Sequence, residues 1–278
     1  MILKILKHNP PCSITFKSIF KKIVKGVVLP LENTYFYVFK FVKKTSYMKA
    51  QLTISFFLLH FLLHAQKNIH HRWNNQLQKY VADTGQVNYN AWQKDREHLD
   101  AYILTLAQFP PEESASKNHK LSYWINTYNA LTVQLILNHY PLKSIKEIKA
   151  PWDAPCFTAE GKKFSLGDIE HKILRKMGEA RIHFAINCAS ASCPKLFNYA
   201  FEEKKLEQQL EKVTRDFIND PSKNKITESQ VELSKIFLWF GKDFGSKSER
   251  MAFLERYSGI VLSRPKIHYL VYDWSLNE

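Results

Sequence analysis

The sequence predicts an α+β fold: a helix-rich single domain packed around a small, mostly antiparallel sheet. Three observations carry this. Apolar residues recur at helical spacing in several long stretches. The few strand-like runs fall between them irregularly, without the alternation that a wound parallel sheet requires. Glycine is scarce, at 8 in 278 residues, and no repeat or low-complexity tract is visible, which excludes solenoid and fibrous architectures. A hydrophobic fraction of 45% and an aromatic fraction of 14% supply a substantial core for a chain of this length.

The elements follow in order. WNNQLQKYV is amphipathic, the ADTGQVNY segment turns at Gly85, and AWQKDREHLDAYILTLAQ resumes the helical period with Trp92, Leu99, Ile103 and Leu106. FPPEESASKNH reads as a loop. In LSYWINTYNALTVQLILNHYP, Trp124, Tyr128, Leu131 and Leu135 keep helical spacing, and Ile125 and Ile136 widen the stripe until it nearly encircles the helix. Such a helix is buried, and Pro141 ends it. PLKSIKEI predicts a short helical turn and AEGKK a hairpin tip. SLGDIEHKILRKMG predicts a short helix, capped by Ser165 with Asp168 three residues on, and stopped by Gly178. IHFAINC alternates as a strand does, with Ile182, Phe184 and Ile186 on one face and His183 and Ala185 on the other. EEKKLEQQLEKVTRDF is a helix with Leu206, Leu210, Val213 and Phe217 inward. KITESQVELSKIFLWF predicts a hairpin or a strand leading into a helix, SERMAFLERYS a helix, and KIHYLVYDWSLN a final strand.

The net charge of +14 is unevenly placed. Residues 1–47 hold nine lysines against the single acid Glu32, so the chain beyond them is only mildly basic. No clustered basic face points to nucleic acid. From Met48, MKAQLTISFFLLHFLLHAQ has a basic start, an apolar run from Leu52 to Leu63 and an alanine at the place of cleavage. The run is too short for a membrane span of roughly 20 residues and fits a signal-peptide core of about 7–15. The expected organisation is therefore a non-native upstream extension or basic arm over 1–47, a signal peptide over 48–65, and one globular domain over 66–278. The location expected is periplasmic or extracellular, with a membrane role only through the signal segment if it stays uncleaved. Export would remove Cys12 and leave Cys156, Cys188 and Cys193, an odd number for an oxidising compartment.

The strings GQVNYNAW, YWINTYNALTVQLILNHYPLKSI, DIEHKILR, RIHFAINCASASCPKL, LSKIFLWFGKDF and YLVYDWSLN occur here in one order. Together they resemble the bacterial and plant family called domain of unknown function 547, over roughly residues 75–278. The resemblance implies no particular chemistry, because that family has no assigned activity. An exported member fits the leader.

Candidate site residues come from four places. Asn126 and Asn129, three apart on an otherwise apolar helix, either clamp a neighbouring loop or form one wall of a cleft. Glu170, His171 and Arg175 share a short helix and lie close in sequence to His183; they form either a structural ion-pair network or a set that acidifies a nearby thiol. The CASASCP loop leaves four readings open. Cys193 is a nucleophile with His183 or His171 as base, its loop of Ala189, Ser190, Ala191 and Ser192 turning backbone N–H groups toward an oxyanion. Or Cys188 and Cys193 form a disulfide; or both, with His183, hold zinc, for which C-x₄-C alone is a weak pattern; or both are inert packing thiols. Finally, FLWFGKDF and YDWSLN set Asp243 and Asp273 beside Trp239, Phe240 and Trp274, as aromatic core with acids paired to Arg175 or Arg181 or capping backbone, or as a sugar-stacking groove.

No G-x-S-x-G, Walker, dinucleotide or HExxH string is present, and no cofactor and no metal are expected. Two functions are carried forward. One is a thiol-dependent hydrolase or acyltransferase, loosely laid out like papain or transglutaminase folds, although the buried helix reads YWINTYN and holds no cysteine. The other is a non-catalytic envelope binding module with a structural Cys188–Cys193 disulfide. The partner would be a small molecule, peptide or glycan. A redox role is the weaker third reading, since the spacing is not C-x-x-C.

Overall fold

The computed structural model describes residues 69–278 apart from Arg264. The stretches read above as upstream extension and signal peptide lie outside the described residues. Among the described residues, no helix is long and apolar enough to cross a membrane.

Helices α1 (His71–Tyr80), α2 (Tyr89–Gln93) and α3 (Glu97–Gln108) form the predicted helix–turn–helix entry. Trp73 stacks on both Trp92 and Tyr102, with ring centroids 5.7 Å away in each case. Fully burying each large aromatic stabilises the fold by about 2–3 kcal/mol. The turn needs Gly85 for two reasons: its φ is +86°, and a Cβ there would stand 2.6 Å from Cβ of Lys195.

Helix α4 (Lys117–His139) is the 23-residue element around which the domain packs. Ser116 caps it by accepting the His119 N–H at 3.0 Å. Its buried residues surround the axis, as the widened apolar stripe predicts.

The hairpin β1 (Phe157–Ala159) and β2 (Lys162–Phe164) follows, antiparallel and turning at the expected tip. Ser165 and Asp168 then cap each other's backbone N–H groups, both at 3.0 Å. The helix they start is a wide turn, Asp168–Leu174, in which the Arg175 N–H reaches back to the Glu170 carbonyl. Such i→i+5 turns are rare and often sit at functional sites. Gly178, at φ +64°, ends it as predicted.

The expected strand at 182–188 is a correction. Ala180–Phe184 is a 3₁₀ helix, started by Glu179, whose carboxylate accepts the Arg181 N–H at 3.1 Å. The alternation signalled burial, not extension: Ile182, His183, Phe184, Ala185 and Ile186 are all buried. Helix α5 (Leu206–Ile218) turns Leu206, Leu210, Val213 and Phe217 inward.

A second sheet joins β3 (Lys225–Ile226), β4 (Gln230–Leu233) and β5 (Lys266–Tyr269). β3 and β4 form the predicted hairpin, and β4 pairs with β5 in parallel. Between them lie α6 (Ile236–Trp239) and α7 (Lys247–Ser258), the latter opened by a Ser246–Glu249 capping box. The final strand is shorter than expected. Past Tyr269 the chain leaves the sheet and lies along the cysteine loop: Ala191 N–H donates to Ser275 O at 2.7 Å and Ser192 N–H to Asp273 O at 3.1 Å. The class is α+β, as the sequence predicts.

Candidate functional site

The site is built outward from α4. Asn129 donates to the Ala185 carbonyl at 2.9 Å and accepts the Asn187 N–H at 2.8 Å, so it grips the chain as it enters the cysteine loop. Asn187 donates to the Pro194 carbonyl at 2.7 Å and accepts the Ala189 N–H at 2.8 Å. Ala189 takes a left-handed φ of +59°, a conformation that a non-glycine residue holds only when its surroundings fix it. Asn126 meanwhile clamps Phe201 through both its N–H and its carbonyl, at 3.0 and 2.8 Å. Of the two roles the sequence offers these asparagines, they fill that of the loop clamp. Neither lines the cavity.

The loop so held brings Cys188 and Cys193 together. Both are free thiols, with Sγ atoms 2.7 Å apart, and the Cys188 N–H donates to Cys193 Sγ at 2.9 Å. Tyr272 Oη lies 3.4 Å from Cys188 Sγ and Ser190 Oγ 3.2 Å from it, while Ser190 donates to Tyr272 at 3.1 Å. These groups act on one sulfur. The Cys193 thiol foremost, then Ser190 and Tyr272, hold the Cys188 pKa down at about 6 against the opposing effect of burial. Cys193 moves the other way: burial, and the neighbouring Cys188 sulfur, push its thiol up. Of the two sulfurs, Cys188 is thus the one whose pKa is lowered and Cys193 the one whose pKa is raised.

A cavity of about 220 Å³ opens onto these sulfurs. Tyr128, Glu170, His171, His183 and Phe240 are among the residues that line it. Trp152, Trp239, Tyr272 and Trp274 make an aromatic wall, and Trp239 is 44% exposed. Trp239 and Trp274 stack with centroids 5.8 Å apart, and Tyr272 packs on both.

Glu170 points into this cavity with Tyr128 Oη 3.3 Å from its carboxylate. Burial, reinforced by the Cys188 charge, raises its pKa to about 7. It is a carboxyl group able to give or take a proton near neutrality.

Arg175 does not reach the thiols. It holds Asp243 in a two-pronged contact, at 2.6 and 2.8 Å, and Asp243 in turn meets His183 Nε2 at 2.8 Å. The Arg175 guanidinium keeps the Asp243 pKa down at about 2. Burial lowers His183 to about 4, so its ring is neutral at pH 7, with Nε2–H directed at Asp243. His171 is also lowered, by burial and by Arg175, to which it lies 3.3 Å. Neither histidine is a cation beside sulfur. The polar contacts of Cys188, that with Cys193 foremost, and not a positive charge, lower its thiol pKa.

The remaining sequence candidates fall into place. Ser192 accepts the Asp273 N–H at 2.8 Å and, with Asp273 capping Ser275, ties the loop to the C-terminal segment. The loop amides are spent inside the protein: those of Cys188, Ala189, Ala191, Ser192 and Cys193 all have partners. Of the small residues expected to turn N–H groups toward an oxyanion, Ala189 gives its own to Asn187, and Ala191 and Ser192 give theirs to the C-terminal segment. Zinc finds no convergent set at this loop. Among the described residues, the one close grouping of possible ligands is Asp95, Glu97 and His98, which is surface-facing and lies outside the cavity.

Sequence reasoning missed Tyr272, Trp152 and Asn187 as site residues. Tyr272 stood within the YLVYDWSLN string, beside the acid that drew attention; Asn187 stood within AINC and was passed over for the cysteine after it.

The family model described as "Protein of unknown function, DUF547" matches residues 112–218. The match spans α4, Glu170, His183 and both loop cysteines, and the resemblance read from the sequence strings holds for this segment. It is narrower than the strings, since Trp239, Phe240, Asp243, Tyr272 and Trp274 lie beyond it. No significant match was found among curated proteins or among solved structures.

Proposed function

We propose that the segment matching DUF547, completed by α6 and the C-terminal segment, is a thiol-dependent hydrolase or acyltransferase with Cys188 as nucleophile. One observation carries this reading: at the wall of an aromatic cavity, Cys188 Sγ stands within hydrogen-bond distance of the Cys193 thiol, Ser190 Oγ and Tyr272 Oη. The thiolate attacks an acyl carbonyl and forms a thioester as the leaving group departs. Glu170, poised near neutrality, supplies the leaving group's proton and then takes one from the water or acceptor that releases the acyl group. The Tyr272 hydroxyl, beside the sulfur, is the nearest donor for the developing oxyanion. The ligand in this reading is a small molecule, peptide or glycan with an uncharged, flat face for Trp239 and Trp274. Export through the Met48–Ala65 leader belongs to the same proposal, and N-terminal sequencing of protein recovered outside the cytoplasm tests it.

The catalytic part is tested by alkylation with iodoacetamide across pH and by mass measurement after incubation with an activated acyl ester. Half-maximal alkylation near pH 6 and an acyl adduct on the peptide holding Cys188 are expected. An alkylation midpoint near the ordinary thiol value of about 8.5, without an adduct, would sink the thiol mechanism.

A second reading is favoured by the engaged loop amides: a binding module that uses the aromatic wall and does no chemistry. Ligand-dependent quenching of tryptophan fluorescence that persists unchanged in Cys188→Ser, with no acyl adduct in the unsubstituted protein, would select it.

A further inference from the structure

We infer that Cys188 and Cys193 also form a dithiol–disulfide exchange centre that takes small, uncharged organic disulfides entering the aromatic cavity. The inference does not depend on acyl chemistry. It rests on the placement of the two sulfurs and on the devices that hold them so. Two free thiols face each other at 2.7 Å within one loop and both border the cavity, Cys188 half-buried and Cys193 buried. The loop is fixed at both ends by Asn187 bonding to Pro194, and along its length by the C-terminal segment. An acyl-transfer nucleophile has no need of a second thiol. A pair in which one sulfur is primed and its neighbour stands within bonding reach is what sequential exchange requires. Among the described residues that line the cavity none is a lysine or arginine; Arg175 is committed to Asp243, burial keeps the His183 ring neutral near pH 7, and Lys146 Nζ stands 4.9 Å over the Trp274 ring. Neutral disulfides can lie against Trp239 and Trp274.

The Cys188 thiolate attacks one sulfur of R–S–S–R; the Cys188–S–S–R bond forms, the R–S–S–R bond breaks, and R–S⁻ leaves and takes a proton. Cys193 then attacks Cys188 Sγ and releases the second R–S⁻, which carries away the Cys193 proton as R–SH. Two protein thiols are oxidised to one disulfide, and one external disulfide is reduced to two thiols.

The test uses the reduced full chain and hydroxyethyl disulfide. Trypsin places both cysteines on one peptide, residues 182–195, so an internal disulfide makes that peptide lighter by two hydrogens. The expected result is this peptide, with two mercaptoethanol molecules released per chain. At pH 6 it should form about tenfold faster than in the urea-unfolded chain, because the larger thiolate fraction outweighs the lower nucleophilicity of an acidic thiol. Cys193→Ser should stop at the mixed disulfide on Cys188, and Cys188→Ser should leave Cys193 unreacted on the same timescale. If either variant fails to fold, the peptide mass and rate in the unsubstituted protein decide alone. Accumulation of only the mixed disulfide, or closure no faster than in the unfolded chain, overturns the inference. Disulfide closure without an acyl adduct would remove the proposed hydrolase and leave this centre standing; an acyl adduct without closure would do the reverse.

Discussion

Asn187 Nδ2 donates to the Pro194 carbonyl at 2.7 Å, and this bond closes the loop that places Cys188 against Cys193. Asn129 holds the entry to that loop from α4. The dithiol is therefore a tertiary product, set by two buried amides and not by the local preferences of CASASCP. Both amides are almost wholly buried, so each bond they lose strands a partner without water.

Asn187→Ala is accordingly expected to lower stability by about 2–4 kcal/mol, since it frees the Pro194 carbonyl and the Ala189 N–H. Urea denaturation measures the loss. The same variant should raise the pH at which Cys188 is alkylated, because the Cys193 donor is no longer fixed beside it. A stability loss with an unchanged alkylation profile would show that the loop holds its shape without Asn187.

Tyr272→Phe keeps the ring stacked among Trp239 and Trp274 and removes only the hydroxyl near Cys188 Sγ. A hydrogen bond to a charged group contributes about 1.5–3 kcal/mol, or roughly one to two pH units. The Cys188 alkylation midpoint should move upward by about one pH unit, with little change in the denaturation midpoint. No movement would mean that Cys193 and Ser190 alone acidify the sulfur.

Much of the fold was legible because its signals are local. The Ser165–Asp168 cap, the Gly178 stop, the Gly85 turn and the encircled α4 stripe each depend on residues a few positions apart. The 182–186 segment misled because period-two alternation marks a half-buried strand only when one face meets water, and here neither does. At the site, the cysteines, Glu170 and His183 were visible as residue types. Which sulfur is lowered was not, since that depends first on how the folded loop sets Cys193 against Cys188, then on Ser190 and on Tyr272, 84 positions from Cys188 in sequence. Of the two readings of Arg175, the structure forms the ion pair: Asp243, 68 positions on, holds it, one of the acid–arginine pairings the sequence offered.

Asp243→Asn should cost about 2–3 kcal/mol at neutral pH, since it replaces a carboxylate bonded to both Arg175 and His183. The pH dependence has two sources. Asp243 is held down at about 2, so its contribution is present above its ordinary value of 3.8 and fades as pH falls toward 2. His183 is lowered from 6.5 to about 4, so stability also falls as pH drops through that window, where the unfolded chain takes a proton the folded one refuses. The variant should lose the first dependence and keep the second. Thermal melts from pH 2 to 7 distinguish them.

Glu170→Gln tests the protonatable wall of the cavity. Its carboxyl is raised from 4.5 to about 7, mainly by burial and then by the Cys188 charge. For a raised pKa, the stabilising preference for the protonated form is complete below 4.5 and is lost as pH climbs through 7. Glutamine keeps a neutral acceptor for Tyr128 and has no charge to bury. The two proteins should therefore be equally stable at pH 4 and diverge above it. By pH 8 the variant should lead by roughly 3 kcal/mol, since each tenfold difference in proton affinity between folded and unfolded chains is worth about 1.4 kcal/mol. Denaturant titrations at the two pH values measure the gap. Because the Cys188 charge contributes to raising the carboxyl, Cys188→Ser should narrow that gap without abolishing it. A gap that Cys188→Ser leaves untouched would mean that the carboxyl does not sense the sulfur, and the proton-transfer role assigned to Glu170 would have no basis.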